Sequence, residues 1–368
     1  MNNLSNIYKN VDKVISLTVL ALATLSVLMI GSTSIATGFF SRSVIVQIVA
    51  YILGTVAVFI MLRYNYTIFK GLEGKLYIAS ILLLMSVYIP GLGVEQFGAR
   101  SWINLGVTTI QPSEIVKILY ILILAGYFDK HKDELYNFKC LLKAAFVAAP
   151  IILIVLKEDL GSALVFAFIW VVMLFFAGID LKAFLQFFAL FLLSIPIAYG
   201  VLAPYQRERI EAFLHPENLA LGGNYQVWQS KIAIGSGGFW GKGLFHGTQK
   251  ELNFIPVQTS DFFFSVVGEE LGLIGGILVI VLFGVLLIRM MYIVSDALDL
   301  YGALIVAGII GMLVFQMFEN IAMTMGLMPV TGITLPFLSY GGSSIISNML
   351  SIGLVLNVAV RSKKINFN

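Results

Sequence analysis

Apolar runs recur along this chain at lengths that a soluble core does not need. They lie near Val14–Gly31, Val44–Leu62, Leu76–Pro90, Ile115–Tyr127, Leu141–Leu156, Ala163–Gly178, Ala183–Leu202, Phe262–Ile288, Tyr301–Met323 and Ser344–Val360. A helix needs about 20 such residues to cross a bilayer, and a backbone in lipid must satisfy its own hydrogen bonds. The pattern therefore predicts an all-α polytopic membrane protein with about ten transmembrane helices. Only 12% of the residues are charged, 59% are hydrophobic, and the mean hydropathy is +0.94. A globule with an ordinary polar surface is excluded.

Residues 1–368 read as one membrane domain, elaborated by a large extracellular loop, 203–261, between the seventh and eighth helices. Basic residues set the orientation. Lys9, Lys13, Arg63, Lys70, Lys75, Lys130, Lys132, Lys139, Lys143, Lys182, Arg289, Arg361, Lys363 and Lys364 fall on one side, whereas the short loops opposite hold Arg42, Arg100 and Lys157. The positive-inside rule then places both termini in the cytoplasm. A net charge of +3, dispersed over short loops, gives no nucleic-acid footprint. The single cysteine, Cys140, has no internal disulfide partner. With no convincing small-residue cleavage site, Val14–Gly31 is expected to be the first span and not a cleavable signal peptide.

Asp261 is the residue expected to carry chemistry. It lies where the polar, glycine-rich loop gives way to the run beginning Phe262-Phe263-Phe264, and an ionised carboxylate near hydrocarbon is costly unless compensated. Earlier in the loop, Tyr205–Leu214 reads as an interfacial helix with Ile210, Phe213 and Leu214 on one face. Its Arg207 and Arg209 either anchor the loop or meet an anionic head group. The segment Gly235–Gly243 has the glycine density for close backbone approach to a ligand, and equally for a tight turn.

Further polar groups gather at the same boundary. Gly98–Asn104 is a short outer segment carrying Arg100 and Trp102, and Gln111-Pro112-Ser113-Glu114 starts a helix that contains Lys117. Ser113 is expected as a helix cap, and Glu114 and Lys117 share a face three residues apart. A charged helix start inside an apolar bundle faces a cavity. Lys157 and Glu158 read as a solvated loop tip, with Asp159 as a helix-start group facing the same cavity. Glu269, Glu270, Glu319 and Asn320 fall within spans and are assigned to helix packing. The Pro- and Gly-rich stretch Gly326–Ser344 is expected to be a non-helical re-entrant segment lining the site.

Together these residues resemble the shape, elongation, division and sporulation family of polytopic peptidoglycan polymerases, the group that includes RodA and FtsW. The resemblance covers nearly the whole chain. Its specific pieces are Gln229–Gly238, His246-Gly247-Thr248-Gln249, Asp261-Phe262, Gly268-Glu269-Glu270-Leu271-Gly272 and Pro329–Ser343. The first two look more like the RodA branch. The family usually has His-Thr-Asp-Phe-Ile-Phe where this chain has Thr259-Ser260-Asp261-Phe262-Phe263-Phe264, so the aspartate has no histidine two residues before it. Gln-Pro before Asp159 is here Lys157-Glu158.

The resemblance implies an outward-facing site in the bacterial plasma membrane that polymerises lipid II into glycan strands and releases undecaprenyl pyrophosphate. It places the catalytic aspartate at Asp261, an outer-loop tryptophan at Trp102, and ion-pairing positions at Arg100, Glu114, Lys117 and Asp159. In that chemistry Asp261 takes the proton of the attacking sugar hydroxyl. Arg100, Lys117, Arg207, Arg209 and Lys231 are the candidates for holding the pyrophosphate. One carboxylate rather than a pair suits direct displacement with inversion. No carboxylate cluster demands a cofactor metal, although a divalent cation is permitted. The expected partners are lipid II, membrane lipids and a single-pass class B penicillin-binding protein, because the chain carries no serine-nucleophile motif for transpeptidation. A lipid-linked-precursor transporter would need a similar cavity and broken helices.

Overall fold

The computed structural model describes residues 10–34, 38–96, 99–104, 106, 109–134, 138–186, 188–189, 199–200, 202–221, 223–248 and 254–362. Helix α1 (Lys13–Thr33) starts where Asp12 accepts from the amides of Val14 and Ile15, satisfying donors that a helix start leaves open. It is followed by α2 (Arg42–Arg63) and α3 (Glu73–Met85). Next comes a small antiparallel sheet of β1 (Gly93–Gln96), β2 (Ala99–Asn104) and β3 (Thr109–Ile110), in which Val94 pairs with Trp102 and Ile103 with Ile110. The outer segment around Arg100, read from sequence as part of an all-helical protein, is therefore a β-meander.

The chain continues through α4 (Pro112–Lys130), α5 (Phe138–Glu158) and α6 (Leu160–Phe176). The expected seventh span, Ala183–Leu202, lies largely outside the described residues. Two shorter helices occupy the predicted loop, α7 (Pro204–Leu214) and α8 (Asn224–Gly237). The bundle closes with α9 (Phe263–Asp296), α10 (Leu300–Thr324) and α11 (Gly342–Ser362).

Six of these helices are long and apolar enough to cross a membrane, and α6 is a shorter apolar helix. Helix α11 packs on α2, α10 on α4 and α6, and α9 on α1 and α8. Their inner faces bury Leu22, Tyr120, Phe166, Phe283 and Leu313 completely. Facing outward in mid-helix are Leu17, Leu20, Ile52, Leu53, Phe146 and Leu153, all more than half exposed. Such an outer surface would aggregate in water and is at home in lipid. The chain is a multi-pass membrane protein.

Charges at the end opposite the loop pair across helices. Arg289 of α9 meets Asp12 at 2.7 Å, Lys70 meets Asp129 at 2.6 Å, and Tyr66 donates to Asp299 at 3.0 Å. Asp12 is the α1 cap, and both contacts hold its carboxylate below its usual range even though burial acts against this. Cys140 is buried and free.

Helix α9 is broken within its first third. Gly272 adopts φ +62°, so the amide of Leu273 and the carbonyls of Glu269 and Glu270 lose regular partners. The glycine-rich segment after α8 replaces them. Gly238 O accepts from Leu273, and the amides of Lys242 and Gly243 donate to Glu269 O and Glu270 O, each at 3.0 Å. The approach is close enough that a Cβ on Gly237 would sit 2.0 Å from Gly268 O and one on Gly241 would sit 2.1 Å from Glu270 O. The glycines of Gly235–Gly243 thus serve backbone-to-backbone packing against the break rather than an open ligand loop.

Candidate functional site

Asp261 sits in a turn just before α9. Its amide donates to Val257 O, and the three successive carbonyls around it are each held from outside the turn. Tyr340 N donates to Thr259 O at 2.8 Å, Ser339 Oγ donates to Ser260 O, and Asn320 Nδ2 donates to Asp261 O at 2.7 Å. The backbone under the carboxylate is therefore fixed by the re-entrant segment 326–341 and by α10. That segment is pinned in turn to α1 and α2, because Ser26 donates to Leu338 O, Gln47 to Ser339 O and Tyr51 to Phe337 O.

The Asp261 side chain is partly buried beside Gly332, whose φ is +76°. A Cβ there would lie 3.4 Å from Asp261 Oδ2, so the glycine keeps that face of the carboxylate open. Burial is the main cause that lifts its pKa, to about 6. The Ser260 hydroxyl and the positive charge of Arg209 act the other way, and the negative charge of Asp159 adds to the rise.

Arg209 reaches this place from α7, donating through Nη1 to Thr331 O at 2.9 Å. The Thr331 hydroxyl donates to the buried Glu319 of α10 at 2.9 Å. On its other side Arg209 lines a cleft with Lys231, Asn224, Met328 and Pro329. Lys231 comes from α8 and lies against Gly326, where a Cβ would be 2.4 Å from Lys231 Cε. Two cations from different loop helices thus border one cleft, and the charge of Arg209 also acts on Asp261.

Asp159 caps α6, accepting from the Ser162 amide at 3.0 Å and its hydroxyl at 2.6 Å, with Gln111 donating at 3.2 Å. It borders a second cleft with Arg100, Ser113, Glu158 and Tyr88. Glu158 is not a solvated tip: it accepts from Tyr88 and from the Arg100 amide, while Lys157 lies over the Tyr88 ring. Strand alternation puts Trp102 on the same face of β2 as Arg100.

The remaining sequence candidates sit apart from this cluster. Glu114 and Lys117 form a 2.8 Å pair in the bundle interior, with Lys117 only 1% exposed and Ser347 of α11 donating to Glu114 O. Ser113 is not the α4 cap: Gln111 takes that position without a side-chain bond, and the buried Ser113 Oγ has no partner among the described residues. Arg207 turns away toward Tyr199 and donates to Gly200 O. On α7, Phe213 and Leu214 stay exposed while Gln206 and Ala212 are buried, so its apolar face does not pack inward. Glu269, assigned from sequence to packing, is ion-paired with Lys242 at 2.7 Å. Asn320, also assigned to packing, holds the carbonyls of Asp261 and Ile333, while Thr331 and Gly332 belong to the stretch Gly326–Ser344 that the sequence placed at the site without naming either residue's part. An Asn next to a Glu in an apolar helix was the available signal for Asn320.

Residues 12–364 match the model of the FtsW, RodA and SpoVE cell cycle protein family. The chain belongs to this family. Among FtsW/RodA/SpoVE relatives, stage V sporulation protein E of Bacillus subtilis is 36% identical over 84% of this chain and 85% of its own length. Peptidoglycan glycosyltransferase MrdB of Escherichia coli K12 is 35% identical, covering 85% of each. The probable peptidoglycan glycosyltransferase FtsW of Coxiella burnetii is 35% identical over 99% of this chain and 100% of its own. Among solved structures, a chain from a peptidoglycan synthase complex that coordinates polymerization and crosslinking superposes with TM-score 0.81 at 32% identity, covering 96% of this chain and 99% of that one. The rod shape determining protein RodA of Thermus thermophilus gives 0.70 at 29%, covering 96% and 98%.

Proposed function

We propose that this chain is a peptidoglycan glycosyltransferase that polymerises lipid II in the bacterial plasma membrane, with Asp261 as general base. The carrying observation is the placement of Asp261: partly buried just before α9, beside Gly332, within the field of Arg209, with a pKa of about 6. A base of that strength is ionised at neutral pH yet still basic enough to accept a proton as a bond forms. Two glycosyltransferase-named relatives and a peptidoglycan synthase chain of the same fold support the reading.

In this mechanism the acceptor sugar hydroxyl attacks the anomeric carbon of the donor. Its proton passes to an Asp261 oxygen, and the bond from the anomeric carbon to the pyrophosphate oxygen breaks, releasing undecaprenyl pyrophosphate. Arg209 and Lys231, which border one cleft, offset the charge that grows on the leaving group. Lone attack without a second carboxylate nucleophile inverts the anomeric centre. A divalent cation is compatible with the pyrophosphate but has no step assigned to it. Arg100, Trp102 and Asp159 line the acceptor side. Glu114 and Lys117 support α4, and Arg207 braces α7.

Both termini lie in the cytoplasm and the loop 203–261 faces outward, so that about ten spans carry the site to the side where glycan is built. A class B penicillin-binding protein cross-links the product, engaging the loop that bears α7 and α8. Labelled lipid II incubated with the purified chain tests the reading. Glycan ladders from the wild type and none from a folded Asp261→Asn variant are expected. Abundant polymer from that variant would remove Asp261 as base, and lipid translocation without polymer would favour a transporter. Co-purification with a transpeptidase from native membranes tests the partner.

A further inference from the structure

Asn320 lies on α10, fully buried in the bundle, and its side-chain amide faces two peptide carbonyls from different parts of the chain. Nδ2 donates to Asp261 O at 2.7 Å and to Ile333 O at 2.7 Å. An amide has two donor hydrogens on one nitrogen, and both are used here. The reversed orientation would set Oδ1 against two carbonyl oxygens, so the chemistry of the partners fixes how the amide points. Oδ1 itself has no partner among the described residues. A buried orphan acceptor is costly, and an amide kept solely for helix packing would not be placed this way.

The two carbonyls belong to the two walls of the site. Asp261 carries the proposed base. Ile333 follows Gly332, the residue against Asp261 Oδ2, and Thr331 on the same segment accepts Arg209 through its carbonyl. The preceding residue of α10, Glu319, accepts the Thr331 hydroxyl. One helical turn therefore holds both the carboxylate segment and the segment that seats the arginine.

We propose that Asn320 is a positioning residue that sets the height and depth of the Asp261 carboxylate relative to Gly332 and Arg209. The proposal rests on the reading of Asp261 as general base. It adds that α10, not the loop before α9, is the reference for the base. Without the amide, the Asp261 carbonyl loses its outside partner and the turn moves away from segment 331–333. The carboxylate then becomes more hydrated, and its ionised form is less disfavoured.

The test compares purified wild type, Asn320→Leu and Asn320→Ala in lipid II polymerisation across pH, with thermal unfolding in detergent alongside. Leu keeps the branched outline of Asn without its donors, and Ala removes the donors and the bulk together. The expected result is a kcat lowered about tenfold to a hundredfold, as for displacement of a catalytic group by about 1 Å. KM stays within about threefold, since the lipid contacts are elsewhere, and the acid limb of the rate profile moves below its wild-type position. Wild-type kcat and acid limb in both variants would overturn the proposal. So would a loss of rate that tracks a loss of thermal stability with the acid limb unmoved, because that is the signature of a purely structural residue. If Asp261→Asn itself polymerises lipid II, the general-base reading fails first. If Asp261→Asn is inactive while the Asn320 variants behave as wild type, only the positioning role falls.

Discussion

Lys117 reaches back one helical turn to Glu114, 2.8 Å from Nζ to Oε1, with the lysine almost wholly sealed from solvent. Removing one member of a buried pair strands the other charge, at a cost of about 3–5 kcal/mol. Lys157, by contrast, lies over the Tyr88 ring at the edge of a cleft. Lys117→Ala is therefore expected to lower both unfolding temperature and polymer yield far more than Lys157→Ala. A paired Glu114→Gln, Lys117→Met change should recover most of the stability. Equal activities for the two alanine variants would contradict this.

The raised pKa of Asp261 has opposite consequences for rate and for stability. A base works only when ionised, so polymerisation should fall as pH drops through about 6. For the fold the sign reverses. The pKa is higher in the folded chain than its ordinary 3.8, so the protonated form is the one the fold favours. That preference is fully present below 3.8 and is lost as pH rises to about 6. Asp261→Asn should then match wild type in unfolding temperature near pH 4 and exceed it near pH 8. Scans of both proteins at the two pH values check the difference.

Gly332→Ala adds a methyl beside Asp261 Oδ2 at a residue with φ +76°. The left-handed backbone costs about 1–2 kcal/mol for a residue with a Cβ, and the methyl occupies space needed by an incoming hydroxyl. Initial rates on lipid II should drop about tenfold, with a protein that still elutes as a single folded species. An unchanged rate would show that the hydroxyl approaches from another side.

The Lys242–Glu269 pair joins the loop to α9 and is only partly shielded on the lysine side. Lys242→Met leaves Glu269 with other partners, the Thr248 hydroxyl among them, so the expected loss is about 2 kcal/mol, below that of a fully buried pair. Proteolysis of the segment between α8 and α9 should become faster in this variant. Equal cleavage rates would mean that the backbone bonds alone hold the segment.

The spans were readable because an apolar run of about 20 residues matches the thickness of a bilayer and is seldom needed in a soluble core. The position of Asp261 at the head of a long apolar helix was readable for a related reason, since a carboxylate at the margin of such a run has to be compensated. The β-meander around Arg100 and Trp102 was not, since strands this short carry no periodicity long enough to separate from a loop. The glycines at 235–243 signalled close approach, but not to what; only the break at Gly272 reveals that their partner is another stretch of backbone. Lys117 and Arg209 look alike in sequence, yet one is locked to Glu114 and the other reaches the Asp261 cluster. That difference depends on helix rotation and on contacts between residues more than a hundred positions apart, as in the Arg209–Thr331 bond.

The break in α9 makes its first turns a separate short rod. From Phe263 to Gly272 it is about 14 Å long at the usual rise per residue, with Asp261 at its tip and the backbone of residues 238–243 stitched to its foot. Strain entering this rod at its foot would stop at a tip that segment 326–341 and α10 clamp from the other side. The first turns of α9 are in this way a strut held at both ends, and the break keeps movement of the long remainder of the helix from reaching the carboxylate.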